Sequence, residues 1–545
     1  MKRSHLAAVA LACAALSPVA LAQAPAAGGD QQSLLELRNT VVNILEALVQ
    51  KGVLTQADAQ TMVKQAQDQA ATEIAALRAQ EASEEGAVRV TYVPEIVKDE
   101  IAASVSETLQ PAVVDDVVER ARTEGWGVPG ALPSWVRNID VGTQLRVRGE
   151  GQYFDEQNAK NVYLDFNSIN DEGGIGAAGP DALLNTTVDR ARLRARLRID
   201  LTAQVAENVK ARLGFSTGNA NDPISMNATL ANYGRRLNFA VYNAAIEWSL
   251  ANERATHGFD LYAGRFENPF LSSTILWDED LSFEGVAGKL SFDVFNGGKD
   301  GLQPGVSLLL GAFPMEEVEL ATADKWLYAG QLGLEVPMGS RSTFRIASAY
   351  YQFRNIVGVR NAIDSQLSDF TAPALLGRGN TLYDIRNDLD PDTNLFALAS
   401  DFEIADVTTQ IDFGVFGPNL LRLKLDYLEN RGFDPLAVAQ LVGQPVEERT
   451  TGRQIELSVG RPRIAERGDW RTFAAYRYLE RDAVLDAFTD SDFGLGGTDT
   501  EGYILGFDIG ITRNAWFTTK ILSSNEIDGP PLSIDVLQLD LNARF

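Results

Sequence analysis

Residues 188–205 read Val-Asp-Arg-Ala-Arg-Leu-Arg-Ala-Arg-Leu-Arg-Ile-Asp-Leu-Thr-Ala-Gln-Val, and from Arg190 onward polar and apolar side chains alternate strictly. A period of two is that of a β-strand, whose successive side chains point to opposite faces. At about 3.3 Å per residue the stretch spans roughly 60 Å, whereas soluble strands usually have about five or six residues. Because arginine facing lipid would cost about 2–4 kcal/mol at mid-membrane, we expect the arginines to face a water-filled lumen.

The same alternation continues from residue 139 to the last residue and predicts an all-β transmembrane barrel of antiparallel strands. Connections alternate between tight turns, such as 206–208 and 513–514, and long polar loops, such as 154–187 and 354–400. An even count fits a single-chain barrel, and we predict sixteen strands, with eighteen left open. The predicted strands are 139–153, 188–205, 208–217, 236–249, 258–266, 281–294, 304–313, 326–337, 342–354, 402–416, 420–431, 451–464, 469–482, 500–512, 515–524 and 533–545.

The last predicted strand ends on an aromatic residue. Leu537, Leu539, Leu541 and Phe545 share one apolar face of this strand. A terminal Phe preceded by alternating apolar residues is similar to the signal read by the barrel-assembly machinery, so we expect these four residues to form the assembly signal.

A different pattern precedes the barrel. Lys2 and Arg3 followed by the apolar stretch 6–22 are typical of a secretory signal peptide. Further on, apolar residues recur in steps of three and four, the spacing of a coiled-coil seam; they are Leu34, Leu37, Val41, Ile44 and Leu48. Protomer association and a helical hairpin packed on itself both fit that seam. The predicted domains are a signal peptide at 1–22, a helical coiled-coil segment at 23–85, a second helical segment with a Gly/Pro linker at 86–136, and the barrel at 137–545.

Composition excludes several classes of protein. The chain has 74 acidic and 48 basic residues, and this excess of negative charge argues against nucleic-acid binding. Its single cysteine, Cys13, lies inside the predicted signal peptide, and the only histidine beyond that segment is His257. Disulfide frameworks and Cys-based metal sites are therefore excluded. We expect no catalytic centre, no metal site and no cofactor.

Motifs spread along the chain carry a family resemblance. They include Lys51-Gly52-Val53-Leu54-Thr55, Tyr92-Val93-Pro94-Glu95, Gly125-Trp126-Gly127-Val128-Pro129, the arginine run 190–197, Ala263-Gly264-Arg265-Phe266-Glu267 and Trp277-Asp278-Glu279-Asp280. In these stretches the chain resembles the putative porin family of Gram-negative outer membranes, which is related to the phosphate-selective porins. The resemblance implies passive diffusion of small solutes through a homotrimer, and it leaves the substrate open.

Basic residues on the polar faces of several strands form a predicted pore-lining track. They are Arg146, Arg148, Arg190, Arg192, Arg194, Arg196, Arg198, Arg422, Lys424, Arg471 and Arg477. This track has two interpretations: a path for anions, or a set of arginines that pair with carboxylates and stiffen the wall.

The third long loop, at residues 267–280, is the predicted constriction. In porins this loop commonly folds inward, which is a property of the resembled family. Its acidic residues would face the basic wall across an eyelet, and its aromatic residues would anchor it. The candidates are Glu267, Phe270, Trp277, Asp278, Glu279 and Asp280. A loop lying outside as a solvated cover is the alternative.

The sequence therefore predicts an outer-membrane porin, a water-filled channel for small hydrophilic solutes and ions. Two alternatives stay open: an anion- or phosphate-selective channel, and a structural anchor that uses the periplasmic helices. The expected partners are outer-membrane lipid, lipopolysaccharide, the barrel-assembly machinery and two further copies of the chain. The expected location is the outer membrane, with the helical segment in the periplasm.

Overall fold

The computed structural model describes Lys64 and residues 138–251, 257–294, 304–319, 322–339 and 341–545. The predicted signal peptide, the coiled-coil segment and the second helical segment lie outside these residues, apart from Lys64. Their prediction is therefore not tested by the structure.

Sixteen long strands make up the described part of the chain, joined by alternating short turns and long loops. In chain order the strands are β1 Ile139–Phe154, β2 Arg190–Ala206, β3 Val209–Thr217, β4 Phe239–Ala251, β5 His257–Glu267, β6 Ser282–Asp293, β7 Gly305–Glu316, β8 Lys325–Pro337, β9 Thr343–Arg354, β10 Glu403–Gly414, β11 Leu420–Asn430, β12 Thr451–Gly460, β13 Trp470–Leu479, β14 Thr500–Thr512, β15 Ala515–Glu526 and β16 Ser533–Arg544.

Each strand pairs antiparallel with its neighbours in sequence, and β16 pairs with β1 to close the barrel. At the seam Thr143 donates its N–H to the carbonyl of Phe545 (2.7 Å), and Phe545 donates to the carbonyl of Thr143 (3.0 Å). This closed sheet confirms the predicted barrel of sixteen antiparallel strands. The largest boundary error is at the end of β12, predicted at residue 464 and found at Gly460. Here the chain enters a turn in which the Asp469 carboxylate accepts backbone N–H groups.

The two faces of the strands differ as their alternation predicts. On β1, Val147 is exposed on the outside while its neighbour Arg148 is only 1% exposed. On β2, Leu193 is likewise exposed on the outer face, and the arginines point inward with Arg148. The outer surface is therefore an apolar band suited to lipid, and the inner surface is polar and charged.

The long loops contain the short elements of the fold. Loop 1 (155–189) holds helices α1 (Phe166–Glu172) and α2 (Ile175–Ala178) and the 3₁₀ turn Gly179–Ala182, and loop 2 (218–238) holds the strand Ala228–Thr229. Loop 5 (355–402) holds the 3₁₀ turn Asp369–Thr371 and the strand pair Leu382–Asp384 and Phe396–Leu398, loop 6 (431–450) holds helix α3 (Pro435–Val442), and loop 7 (480–499) holds the 3₁₀ turn Asp486–Phe488. Within the described ranges, no helix has the length and apolar character needed to cross a membrane.

Candidate channel constriction

The arginines of β1 and β2 lie on one inner wall. In the register of the two strands Arg146 is opposite Arg196 and Arg148 is opposite Arg194. Repulsion among so many guanidinium groups requires compensation, because like charges directly opposite each other destabilise a sheet. Carboxylates supply that compensation.

Glu150 is the central carboxylate of this wall. It lies two residues after Arg148 on the same inner face of β1. Its Oε1 accepts a hydrogen bond from Arg192 at 2.7 Å. Its other oxygen lies 3.4 Å from Arg194. The Glu150 side chain is almost fully buried, so these guanidinium groups replace the water that its charge would otherwise need.

The other arginines of β2 pair with acids from further along the chain. Arg196 donates to Asp280 of the third loop at 3.0 Å, and Arg198 donates to Glu267 at the end of β5 at 2.6 Å. The predicted loop acids and the predicted wall bases are therefore in direct contact. The structure brings these candidates together as ion pairs, whereas the sequence prediction had them face each other across open water.

Basic residues on the remaining strands behave in the same way. Arg422 pairs with Asp412 at 2.6 Å, and Arg471 pairs with Asp508 at 2.7 Å. Over the part of the chain that the structure describes, three members of the predicted track make no ion pair within 4.0 Å; they are Arg146, Arg190 and Lys424. The geometry thus fits the interpretation in which most of these bases pair with carboxylates.

Loop 3 (268–281) makes its contacts with inner-wall side chains. The Gln331 amide of β8 donates to the carbonyl of Leu271 and accepts from its N–H, both at 2.9 Å. Lys424 of β11 donates to the carbonyl of Ser272 at 2.5 Å. These wall residues lie in the middle of their strands, so the loop crosses the inside of the barrel.

The aromatic residues of loop 3 hold it against the wall. The ring of Trp277 packs edge-on against Phe283 of β6 (5.0 Å between centroids) and Tyr351 of β9 (5.4 Å). Phe270 packs against the same two rings, at 5.6 and 5.2 Å. Both anchors are buried in this cluster. Such edge-to-face contacts add about 0.5–1.5 kcal/mol per pair beyond burial, which fixes the loop in place.

Loop 7 also enters the barrel, which sequence reasoning missed. Asp492 accepts from Arg148 of β1 at 2.9 Å, and Asp490 accepts from Arg477 of β13 at 3.1 Å. Between them, Ser491 donates its N–H to Asp278 of loop 3 at 2.9 Å. Loops 3 and 7 therefore meet inside the barrel and are joined there.

Two loop carboxyls at this junction have opposite electrostatic surroundings. Burial raises the pKa of Asp278, and the nearby charges of Asp490 and Asp280 raise it further. Burial acts in the same direction on Asp492, but the positive charges of Arg148 and its neighbours outweigh it and hold the pKa of Asp492 well below its usual range. Asp492 is therefore an ionised anchor, and Asp278 favours the neutral form. Glu279, which lies between Asp278 and Asp280 in loop 3, is exposed.

Comparison with known families gives the fold a context. A family model described as "Putative porin" matches residues 38–545, which is most of the chain. The chain belongs to the putative porin family. Membership of this family and the closed sixteen-stranded barrel together show that this porin is an outer-membrane channel. No curated protein matches it in sequence.

Solved structures similar to this porin include two bacterial outer-membrane proteins. OprB of Pseudomonas putida has 11% identity and a TM-score of 0.41, with 75% of this chain and 95% of that chain covered. The outer-membrane channel DcaP of Acinetobacter baumannii has 13% identity and a TM-score of 0.36, with 75% and 98% covered.

The porin's sequence holds one signal that could have revealed loop 7. Phe488 and Phe493 stand in loop 7 close to Asp490 and Asp492. Phe493 is buried in an apolar cluster with inner-wall residues of β13–β16. Aromatic residues in a solvated loop would be exposed, so their presence indicates a surface that the loop covers. In the described ranges, no group of three or more His, Cys, Asp or Glu side chains could hold a metal ion.

Proposed function

We propose that this porin is a passive diffusion channel that is narrowed where loops 3 and 7 contact the arginine-bearing wall of β1 and β2. The observation that carries this is the contact of both loops with mid-strand wall residues, above all Arg196 with Asp280 and Arg148 with Asp492. A barrel of sixteen strands is too wide for its own side chains to fill, and inward loops reduce that width.

Small hydrophilic solutes are the proposed cargo. Ion-paired side chains line the wall, and a paired base presents less net charge to a passing ion than a free one. Glu150, Asp280 and Glu267 together pair with four of the five arginines of β2, two of which share Glu150. Mild charge selectivity follows from this arrangement.

An anion-selective channel is the second candidate, and a specific observation favours it. In the described part of the chain Arg146 and Arg190 have no ion-pair partner within 4.0 Å, and Arg146 donates instead to the neutral amide oxygen of Asn227 at 2.6 Å. Two positive charges without a direct ion-pair partner on the inner wall would attract anions at short range.

The assembly proposed for this porin is a trimer in the outer membrane. The a/d seam at 34–48 would hold protomers together on the periplasmic side after signal-peptide removal. The apolar outer band would contact lipid and lipopolysaccharide, and the last strand would be read by the barrel-assembly machinery. No catalytic role is proposed, since the only histidine beyond the signal peptide, His257, has no proposed partner.

Single-channel recording in planar bilayers tests the function. A large ohmic conductance supports the diffusion channel, and a small conductance blocked by phosphate supports the anion-selective candidate. Absence of any conductance from the folded protein would contradict both and favour a structural anchor. The Asp280→Asn and Asp492→Asn double variant, which loosens both loops, should raise the conductance. Glu429→Gln, which changes an acid at the loop end of β11 whose side chain is 40% exposed, is the matched control.

A further inference from the structure

A second feature of the lumen is a cavity of about 830 Å³ between the inner wall of β6–β9 and loops 1, 2, 3, 5 and 7. It lies at the end of the barrel where the long loops are. Its size is within the range of about 300–1,000 Å³ that is typical of small-molecule sites. The cavity is separate from the arginine wall of β1 and β2, none of whose arginines line it.

Part of the lining of this cavity is apolar, whereas the water-facing walls of porins are polar. Trp277, Phe283 and Phe313 border it and pack on one another, but these rings are only 1–5% exposed and lie beneath the accessible surface. Met315 of β7 and Phe488 of loop 7 are half-buried and complete the apolar surface. A solute that rests on this surface must itself have an apolar, preferably flat, face.

The ionisable groups that line the cavity are mainly acidic. Five carboxyl groups line it against two bases. Both bases are already occupied: Arg265 pairs with Glu284, and Lys325 pairs with Glu316 at 2.7 Å. A third carboxyl, Asp486, accepts backbone N–H groups.

Two carboxyls of the lining remain. Asp171 and Asp222 have no ion-pair partner within 4.0 Å among the residues that the structure describes. Asp222 accepts the N–H of Ile224 at 3.2 Å and interacts with the N–H of Ser225, and the positive charge of Arg194 acts on it from beyond 4.0 Å. The two acids would attract a positive group, and the apolar surface would accept a flat apolar body. The cavity therefore suits a molecule that carries both. An anion of the same shape would meet the two unpaired carboxylates instead.

We propose that this cavity is a binding site for organic cations with an aromatic body, such as protonated arylalkylamines. The ring lies on Met315 and Phe488, and the ammonium group faces Asp222 and Asp171. Aromatic faces also attract cations directly, which adds to the preference. Solutes of this class are retained at the mouth of the channel, while small hydrophilic solutes pass without binding there.

Calorimetry on the folded porin in detergent tests the site, using tryptamine and indole-3-acetate as probes with the same ring and opposite charge. We expect tryptamine to bind at least about tenfold more tightly than indole-3-acetate, from the two unpaired carboxylates. The Asp171→Asn and Asp222→Asn double variant should remove that difference. Equal binding of the two probes to the unchanged porin, or no binding of either, would overturn the proposal.

Variants of the apolar surface provide an independent test. Met315→Ser should weaken tryptamine binding about threefold or more, and Phe488→Ser about tenfold, if the ring rests on these side chains. Leu389→Ser, in loop 5 and 96% exposed outside the lining, is the control and should leave binding unchanged. If Phe488→Ser disturbs loop 7, Met315→Ser alone decides. Unchanged tryptamine binding in Met315→Ser would contradict the site. Because calorimetry needs no conductance, failure of the site and failure of the channel function are distinguishable.

Discussion

Arg148 and Asp540 face each other across the seam where the last strand closes on the first. Arg148 Nε lies 2.8 Å from Asp540 Oδ1, and Arg148 Nη2 lies 2.9 Å from Asp540 Oδ2, so the ion pair is bidentate. The same guanidinium also binds Asp492 of loop 7. One buried arginine thus joins closure of the barrel to the position of an inward loop.

Arg148→Gln should therefore destabilise the barrel and release loop 7 together. It leaves Asp540 and Asp492 with a much weaker partner, and breaking a buried ion pair typically costs about 3–5 kcal/mol. We expect the folded, heat-modifiable band on gels to convert at a lower temperature and the single-channel conductance to rise.

Arg431→Gln is the matched control for that variant. Arg431 is 61% exposed in its side chain and lies 3.9 Å from Glu429, so its loss should have little effect on either measurement. An Arg148→Gln porin with unchanged conversion temperature and conductance would show that the seam contact has no such role.

The barrel was predictable from sequence because its pattern is strong and long. In Arg190–Ala206 every second residue is polar, and a one-residue slip would place five arginines in lipid. The same constraint acts on all sixteen strands, and the parity of the count adds a check. The positions of the loops were harder to predict from sequence, because they depend on contacts between residues that are distant in sequence.

Distance in sequence also explains what was missed at the site. Arg148 meets a carboxylate 344 residues further along the chain, in loop 7. The alternation shows that Arg148 faces inward, but no local pattern shows that Asp492 returns to it. The loop 3 residues Phe270 and Trp277 were identified because they lie in the third long loop, which commonly folds inward in the resembled family. The aromatic signal in loop 7, Phe493, was not used.

Phe545 should be needed for assembly. Its side chain is exposed on the outer face, while its backbone pairs with Thr143 at the seam. Phe545→Ser leaves those backbone hydrogen bonds possible and removes only the aromatic ring. We expect less heat-modifiable barrel in the outer membrane, measured by fractionation and gels. Phe416→Ser, which removes an exposed aromatic ring from a short turn, should assemble normally; equal loss in both variants would contradict a specific terminal signal.

Deletion of residues 23–85 should weaken the oligomer while leaving the barrel folded. The backbone hydrogen bonds of the closed sheet are satisfied without that segment. Chemical crosslinking and native mass measurement would show a shift from trimer toward monomer, with the heat-modifiable band retained. A full-length porin that is strictly monomeric would instead favour a helical hairpin packed on itself.

The contact between loops 5 and 7 should loosen as pH rises. Burial raises the pKa of Asp486 from 3.8 to about 6, although backbone N–H groups of Gly377 and Asn380 partly oppose this. The folded protein therefore keeps a proton that the unfolded chain releases, and the resulting stability is full below about pH 4 and lost as pH rises through about 6. At about 1.4 kcal/mol per pKa unit, the loss is at most about 3 kcal/mol.

Limited proteolysis at pH 5 and pH 7.5 would measure that loosening, with faster cleavage in loops 5 and 7 expected at the higher pH. Asp486→Asn should reduce the difference. It should not abolish it, because burial also raises the pKa of Asp499 in loop 7 to about 6, although Arg481 and Arg378 partly oppose this. Cleavage independent of pH in the unchanged porin would contradict the prediction.

Replacing the five arginines of β2 by Gln should shift the reversal potential in a salt gradient toward cations. One unit charge at ~6 Å through water contributes about 0.7 kcal/mol, and a Debye length of about 8 Å limits the effect to the nearest two or three. Their sum, on the order of 1–1.5 kcal/mol, corresponds to up to roughly tenfold in the permeability ratio. Glu150, Asp280 and Glu267 lose their partners, which acts in the same direction.

The five-lysine variant of the same strand keeps the charge and is the control for that shift. Because Glu150 is buried, the five-Gln barrel must first be shown to fold by its heat-modifiable band. Arg196→Gln with Arg198→Gln is the smaller alternative, since their partners Asp280 and Glu267 are more exposed than Glu150 and can regain water. The shift should be larger at low salt, where screening is weaker. If the folded variants keep the permeability ratio of the unchanged porin, the ions do not pass along β2, and the arginines serve only to hold the wall and its loops.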